Sequence, residues 1–427
     1  MSTVLMVLVM VGLVLINVPI AIAVGIVTLA AMLILHGWQS LPDLALNMYA
    51  GARSFPLLSI PLFILAGSIM NAGGISRRLI DFCTALLGSI KGGLAMVTVG
   101  ASMFFAEISG SAVADVAALG SILIPGMKKK GYPAEFAAAT MSSAGSLAII
   151  IPPSIPMILY GTISGASIVQ LFVSGFVPGV IGGVGLMGVA YWYARRHGFP
   201  VEQAFQLGRL WAAFKNAFWA LFLPVIILGG IFGGFVTATE GAGLAVLAAM
   251  VVGGLIYREL DWRFLYKTCI DGAIQTAVVM LLIATSALLG AYLTEQRVPQ
   301  AVAQAISDLT RDKHVVLLLL NVLFFILGFF LHSAAAIILV VPIVMPLVSL
   351  IGVDPVHFGI IVTLNLAIGQ QTPPVASVLM TACSIAKTDI WKTSLWNLPY
   401  VGVLIAVLLL STYVPAVPMF LVDLFYK

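Results

Sequence analysis

Apolar residues run along this chain in blocks too long for a water-soluble fold. Residues 3–35, 168–192 and 399–421 each exceed the ~20 apolar positions that carry a helix across a bilayer. They do not alternate with polar residues at a period of two, which argues against the strands of a spanning β-barrel. The pattern predicts an all-α polytopic membrane protein. Its start, MSTVLMVLVM, has no basic leader segment and no small-residue cleavage pattern, so residue 3 onward reads as a retained first helix.

The same pattern occurs twice. A shift of 221 residues places, without a gap, Pro125 on Pro346, Gly131 on Gly352, Pro152 and Pro153 on Pro373 and Pro374, and Pro178 on Pro399. Residues 1–206 therefore pair with 222–427, and 207–221 reads as an amphipathic linker. Each half predicts a long apolar helix (3–35; 224–256), a second one (56–72; 277–293) and an amphipathic segment (76–90; 297–310). A helical hairpin (92–127; 314–346), a helix broken at a Pro-Pro pair (134–164; 355–386) and a final span follow. The hairpin arms flank Ser109-Gly110-Ser111-Ala112 and Leu331-His332-Ser333-Ala334. These arms are short for full crossings, so each hairpin is expected to be re-entrant with its tip near mid-membrane.

Composition agrees: 61% of residues are hydrophobic and 8% charged, against roughly 25% charged in soluble domains. The net charge of +4 does not point to nucleic acid, because Lys and Arg sit between apolar runs, where loop orientation accounts for them. Around the first hairpin's base lie Arg77, Arg78, Lys91, Lys128, Lys129, Lys130, Arg195 and Arg196, against Arg53 alone on the opposite side. In the second half the base side carries Arg297, Arg311, Lys313 and Lys427, diluted by Asp308, Asp312, Asp354 and Asp423. The opposite side there carries Arg258, Arg263, Lys267, Lys387 and Lys392. The bias switches sides, which predicts two inverted-topology repeats, with 217–235 as the extra crossing and 209–215 on the cytoplasmic surface. Cys83, Cys269 and Cys383 are too widely spaced to suggest a disulfide framework.

A Pro-Pro pair removes two N–H donors and clashes with the preceding turn, so it frees carbonyls that cost several kcal/mol each in hydrocarbon unless satisfied. If each hairpin tip meets the break that follows it, hydroxyls and carbonyls converge on two pseudo-symmetric pockets of hard oxygen ligands suited to Na⁺. The alternative is that Gly, Ser and Ala simply let helices pack closely. Beside these pockets, Ser146, His332, Asn365 and Gln370 are candidate substrate contacts; His332 reads equally as a proton relay or as a tip residue bonded to backbone. Glu107, Asp115 and Glu240 are ionisable groups in or near apolar runs, either functional or paired. No Lys or Arg occurs in 92–127, 134–194 or 314–386, so an anionic substrate there would be balanced by bound cations and half-helix N-termini. There is no HExxH helix and no GxxxxGK[ST] loop, and Gly161-Thr162-Ile163-Ser164-Gly165 has no His and Asp partners, so the chain is not expected to be an enzyme.

The runs FFAEISGSAVADVAALGSILIPGMKKKGYPAEFAAATMSSAGSLAIIIPPSIPMILYG (104–161), ATEGAG (238–243) and GQQTPP (369–374) resemble the large membrane subunit of tripartite ATP-independent periplasmic (TRAP) transporters. The resemblance spans the whole chain. It implies a secondary transporter in a bacterial inner membrane, importing an organic acid such as a dicarboxylate or sialic acid on a Na⁺ gradient. It also implies two protein partners, a small membrane subunit and a periplasmic substrate-binding protein, and an elevator-type carrier with scaffold and transport domains in the lipid bilayer. Carried onto this sequence, the implied first Na⁺ site involves Ser109, Ser111, Gly145 and the carbonyls before Pro152, Ile151 included. The second involves Ser333, Gly369, Thr372 and the carbonyls around Pro374, although this tip lacks the flanking Gly and second Ser of the first. Some relatives fuse both membrane subunits; no such segment is evident here, so a separate small subunit is expected. A binding-protein-independent Na⁺/carboxylate or ion carrier of related architecture is the alternative, and an intramembrane enzyme a remote one.

Overall fold

The computed structural model describes every residue except 1–4, 7, 8, 11, 14, 15, 17, 311 and 427. Part of the expected first helix, together with Arg311 and Lys427, lies outside the described residues. The first half contains α1 (Ile20–His36), α2 (Leu41–Ala52), α3 (Ser59–Ala72) and the amphipathic α4 (Ile75–Leu87). The hairpin α5 (Gly93–Ser109) and α6 (Ala112–Lys129) comes next, then α7 (Ala134–Ser146), α8 (Ile155–Ser164) and α9 (Ile168–His197). In the second half lie α10 (Leu207–Phe232), α11 (Ala238–Met250), α12 (Trp262–Glu295) and α13 (Val298–Leu309). A second hairpin, α14 (Lys313–Phe330) and α15 (Ser333–Leu350), precedes α16 (Pro355–Gly369), α17 (Ser377–Ala386), α18 (Ile390–Tyr413) and α19 (Ala416–Tyr426). Among the described residues, eight helical stretches are long and apolar enough to cross a membrane.

From the hairpins onward the helix ends repeat at the same offset. Shifted by 221, α5 and α6 fall on 314–330 and 333–350, within one residue of α14 and α15. Both Pro-Pro bonds are cis, and Gly131 and Gly352, which end the two hairpins, both take left-handed backbone that glycine adopts without strain. Contacts are exchanged between the halves: α17 packs on α6 and α7, while α8 packs on α15 and α16. α7 from Phe136 onward and α16 from Val356 onward are buried at every position, their Ser, Thr, His and Asn side chains included. A second layer is built on α12, which runs against α1, α2 and α3, with α11 against α3.

Elsewhere the halves diverge from the sequence pattern. The expected helix 3–35 is interrupted at Val18-Pro19, where the proline ring bars a continuing helix, and α1 starts only at Ile20. The expected linker 207–221 is the first part of α10, a 26-residue helix. The expected helix 224–256 is cut after Phe232 by Gly233 and Gly234, the latter with φ +72°, and α11 restarts at Ala238 before a π turn at Val251–Ile256. The expected helix 277–293 extends to the 34 residues of α12. Its counterpart is jointed between α2 and α3 at a 3₁₀ turn, Phe55–Leu58, where Pro56 has no amide to donate and Ala277 occupies the matching position.

At one end of the molecule the Lys128 ammonium donates to the Ala386 carbonyl (2.8 Å) and Lys130 pairs with Glu202 (3.2 Å). Lys91 bridges Val201 through the backbone, and the Tyr193 hydroxyl donates to the Trp396 carbonyl (3.2 Å). The base of the first hairpin therefore lies beside the end of α17 and the start of α18.

Candidate transport site

The first hairpin tip sits on the first break. Gly110 ends α5 at φ +62°, where an added Cβ would stand 2.8 Å from the Pro153 carbonyl oxygen, so the close approach requires glycine. The Ile155 N–H donates to the Gly110 carbonyl (3.3 Å), stitching tip to break. Next to it the Ser109 hydroxyl donates to one oxygen of Asp115, and the Ser111 N–H donates to the Ser109 hydroxyl oxygen (3.2 Å). Asp115 is fully buried and its second oxygen, Oδ2, has no hydrogen-bond partner. Gly145 brings α7 against the first turn of α6, an added Cβ lying 2.3 Å from Val116 Cγ2 and 3.4 Å from the Ala112 carbonyl oxygen. Ser109, Ser111, Gly145 and Asp115 thus share one locality, whereas Ile151 lies in the break itself with its side chain against Gly179 of α9. Part of the carbonyl set freed by the prolines is met internally: the Ser154 hydroxyl donates to Ile149 O (2.7 Å) and the Ile151 N–H to Leu147 O (2.7 Å).

The second tip meets its break through different atoms. The Val375 N–H donates to the Phe329 carbonyl (3.2 Å), and the backbones of Gly328 and Gly369 touch, an added Cβ at Gly369 falling 2.5 Å from Gly328 Cα. His332 caps α15, its Nδ1 accepting from the Ala334 N–H (3.4 Å), and Ser333 is buried behind it. The Thr372 hydroxyl proton is used on Ile368 O (2.9 Å), leaving its lone pairs available. Asn365 donates through Nδ2 to Asn321 Oδ1 (2.6 Å) and Ile361 O (2.8 Å), while its Oδ1 is buried without a partner. What Asn365 offers is an acceptor, which suits a cation. Gln370 is the reverse: Oε1 accepts from the Ser377 hydroxyl (3.4 Å), and its buried Nε2 is an unused donor.

Of the remaining candidates, Glu240 separates from the tips and Glu107 stays beside the first. Glu240 is exposed and closes a capping box with Thr237 at the start of α11 (Thr237 N–H to Glu240 Oε2, 2.8 Å; Glu240 N–H to Thr237 Oγ1, 3.2 Å). Glu107 is partly buried on α5, two residues before Ser109.

Sequence reasoning missed two groups. Ser146 takes part in a buried cluster between the halves, in which Ser143 Oγ lies 2.5 Å from Gln371 Oε1 and 2.7 Å from Asn397 Oδ1. Gln371 Nε2 donates to Ser146 Oγ (3.2 Å), and Asn397 Nδ2 to the Gln371 carbonyl (3.0 Å). Gln371 lies in the GQQTPP motif, but its serine partners are more than 200 positions away in α7. The second group faces the first tip across a cavity of about 80 Å³, lined by Ser109 and Ser111 on one side and by Ser68, Asn71 and Gln275 on the other. The signal for these was a polar residue inside an apolar run, without a match in the other half to single it out.

The eight membrane-length helical stretches among the described residues, two of them the arms of the second hairpin, give a multi-pass membrane protein. Over residues 7–417 the chain matches the family described as tripartite ATP-independent periplasmic transporter, DctM component. It is 43% identical over 406 residues to the isethionate TRAP transporter permease protein DctMQ of Oleidesulfovibrio alaskensis, covering 95% of this chain but only 64% of that protein's length. It is 38% identical over 401 residues to the 2,3-diketo-L-gulonate TRAP transporter large permease protein YiaN of Escherichia coli (92% and 94% covered). Identity is also 38%, over 388 residues, to the C4-dicarboxylate TRAP transporter large permease protein DctM of Pseudomonas aeruginosa (91% of each). Among solved structures the fold is similar to the YdaH transporter of Alcanivorax borkumensis, with a TM-score of 0.64, 17% identity and 89% of each chain covered. The chain belongs to the DctM family of TRAP transporter large permeases, and is a transport permease rather than an enzyme.

Proposed function

We propose that this permease imports a small organic acid in symport with Na⁺ across a bacterial inner membrane, working with a small membrane subunit and a periplasmic binding protein. One observation carries the coupling: beside Ser109 and Ser111, the buried Asp115 presents an oxygen with no partner. An unpaired buried carboxylate is costly, and a cation bound there removes the cost. The donor set is hydroxyl and carboxylate oxygen, and among the described residues no three His, Cys, Asp or Glu side chains cluster, so the chemistry suits Na⁺. At the second break Asn365 Oδ1 and Thr372 Oγ1, on either side of Gly369 in the chain, are the neutral oxygens offered. The names of the relatives, which include isethionate and C4-dicarboxylate carriers, support an acidic substrate.

Such a substrate would be held by neutral donors. The Ser76 hydroxyl donates to Asn71 Oδ1 (3.1 Å), which leaves Asn71 Nδ2 as a donor beside the cavity, and Gln275 lines the same wall. With no Lys or Arg in 92–127, 134–194 or 314–386, the acid's charge is offset by the bound cation, which ties uptake to Na⁺. The contact of Lys128 with Ala386, and the position of the start of α18 beside Arg195 and Arg196, support inverted repeats whose hairpin core shifts against an α1–α3 and α11–α12 scaffold. The test is uptake of labelled isethionate and succinate by proteoliposomes holding both membrane subunits and the binding protein. Replacing external Na⁺ with K⁺ or choline is expected to abolish uptake, and undiminished uptake would overturn the coupling.

A further inference from the structure

We propose that the end of α9 and the facing start of α18 form a binding site for the headgroup of an anionic phospholipid. α9 has 30 residues, about 45 Å at ~1.5 Å each, which exceeds a hydrocarbon core of ~30 Å. Its polar end is the last turn, Arg195, Arg196 and His197, so this end stands at headgroup level. Here an open cavity of about 280 Å³ is walled by Trp192, Tyr193, Arg196 and His197 on one side and by Leu395 and Trp396 on the other. The Tyr193 hydroxyl bond to the Trp396 carbonyl (3.2 Å) ties the two walls, so the cavity is preformed.

The chemistry of the walls selects the occupant. The Arg196 guanidinium lies 5.4 Å from the Trp192 ring centroid and, among the described residues, forms no ion pair, which leaves its donors for an outside anion. His197 uses Nδ1–H on the Tyr193 carbonyl (3.1 Å), so arginine is the cation that faces the opening. One helical turn before Trp396, Lys392 brings a second positive charge to the same face of α18. Exposed Leu395 and Trp192, 68% and 47% accessible, supply the apolar border that a glycerol backbone and upper acyl chain require. A phosphate with an acyl chain attached satisfies both halves of this surface; a free phosphate satisfies only the first. Basic pockets between transmembrane helices are suited to such headgroups. The same rings rest on Phe136, at 5.4 Å from Tyr193 and 5.7 Å from Trp396, so an occupied pocket braces the foot of α7, the helix that carries Gly145.

The site is independent of the coupling ion, and its test needs no transport. Delipidated permease is offered phosphatidylglycerol, phosphatidylcholine or inorganic phosphate, and bound lipid is counted by native mass spectrometry alongside thermal unfolding. Phosphatidylglycerol is expected to be retained and to raise the unfolding temperature, phosphatidylcholine less so, and phosphate alone not at all. Arg196→Ala should weaken phosphatidylglycerol retention about five-fold, as the loss of one basic residue near a membrane surface predicts, with Arg196→Lys retaining most of it. Trp192→Leu, which keeps the charge, should weaken retention of both lipids, and Arg209→Ala, on α10, should change neither. Equal retention of the two lipids, unchanged binding in Arg196→Ala and Trp192→Leu, or an equal shift from phosphate alone would overturn the proposal. So would protection of a Trp192→Cys thiol by the small subunit rather than by lipid.

Discussion

The hydroxyl of Ser109, the last residue of α5, donates to the carboxylate of Asp115 on the first turn of α6, and so spans the hairpin tip from one arm to the other. Asp115→Asn keeps the side-chain size and removes the charge that faces the unpartnered position. Its Na⁺ activation curve for uptake should shift about ten-fold to higher concentration, equivalent to about 1.4 kcal/mol. A curve that overlays the parent's would take Asp115 out of the coupling site.

Gly145 and Gly369 each admit a close neighbour, but of different kinds. At Gly145 the neighbour is the Val116 side chain, and at Gly369 it is the Gly328 backbone. Gly145→Ala should cost about 1–3 kcal/mol by overpacking, and Val116→Ala in the same chain should recover much of it. Gly369→Ala has no side chain to trim, so no partner substitution should rescue it. Thermal unfolding in detergent measures both; a rescue at Gly369 would show that the second tip yields.

Gln371 sits between Ser143, Ser146 and Asn397, all buried. Gln371→Leu should destabilise by about 1–3 kcal/mol, because it strands buried polar partners. Combined with Asn397→Leu the losses should be clearly non-additive, since the residues share one network. A double-mutant cycle on unfolding midpoints reads this directly, and simple addition of the two losses would count against a shared network.

Inverted repeats place Lys129 and Lys387 on the same membrane face, as the Lys128 to Ala386 contact supports. In a Cys269→Ser background, needed because Cys269 is exposed whereas Cys83 and Cys383 are buried, Lys129→Cys and Lys387→Cys should react with an impermeant thiol reagent from the cytoplasmic side only. Labelling from opposite sides would refute the topology.

The parts of this fold that prolines dictate were legible in advance. The helix breaks at Pro152-Pro153 and Pro373-Pro374 follow from local chain chemistry that a sequence displays, because a proline pair cannot continue a helix. What depended on neighbours was not legible. Whether 207–221 is a surface linker or the start of α10 rests on how it packs on α4, and amphipathic spacing serves either outcome. The roles of Asn365 and Glu240 depended on which of their atoms were already bonded, to Asn321 and to Thr237, and residue type alone is silent on that. Asn71 and Gln275 reach the first tip only because α3 and α12 lie together in space.

The unequal frame has a mechanical meaning. α12 is one uncut beam of 34 residues, about 51 Å long, while its counterpart is divided at Phe55–Leu58. Bending loads concentrate where a member is thinnest, so the two sides of the frame cannot flex alike. The compliant point is the short span around Pro56, which leads directly into the helix that carries Gly67, whose Cα hydrogen faces Ser109 at the first tip.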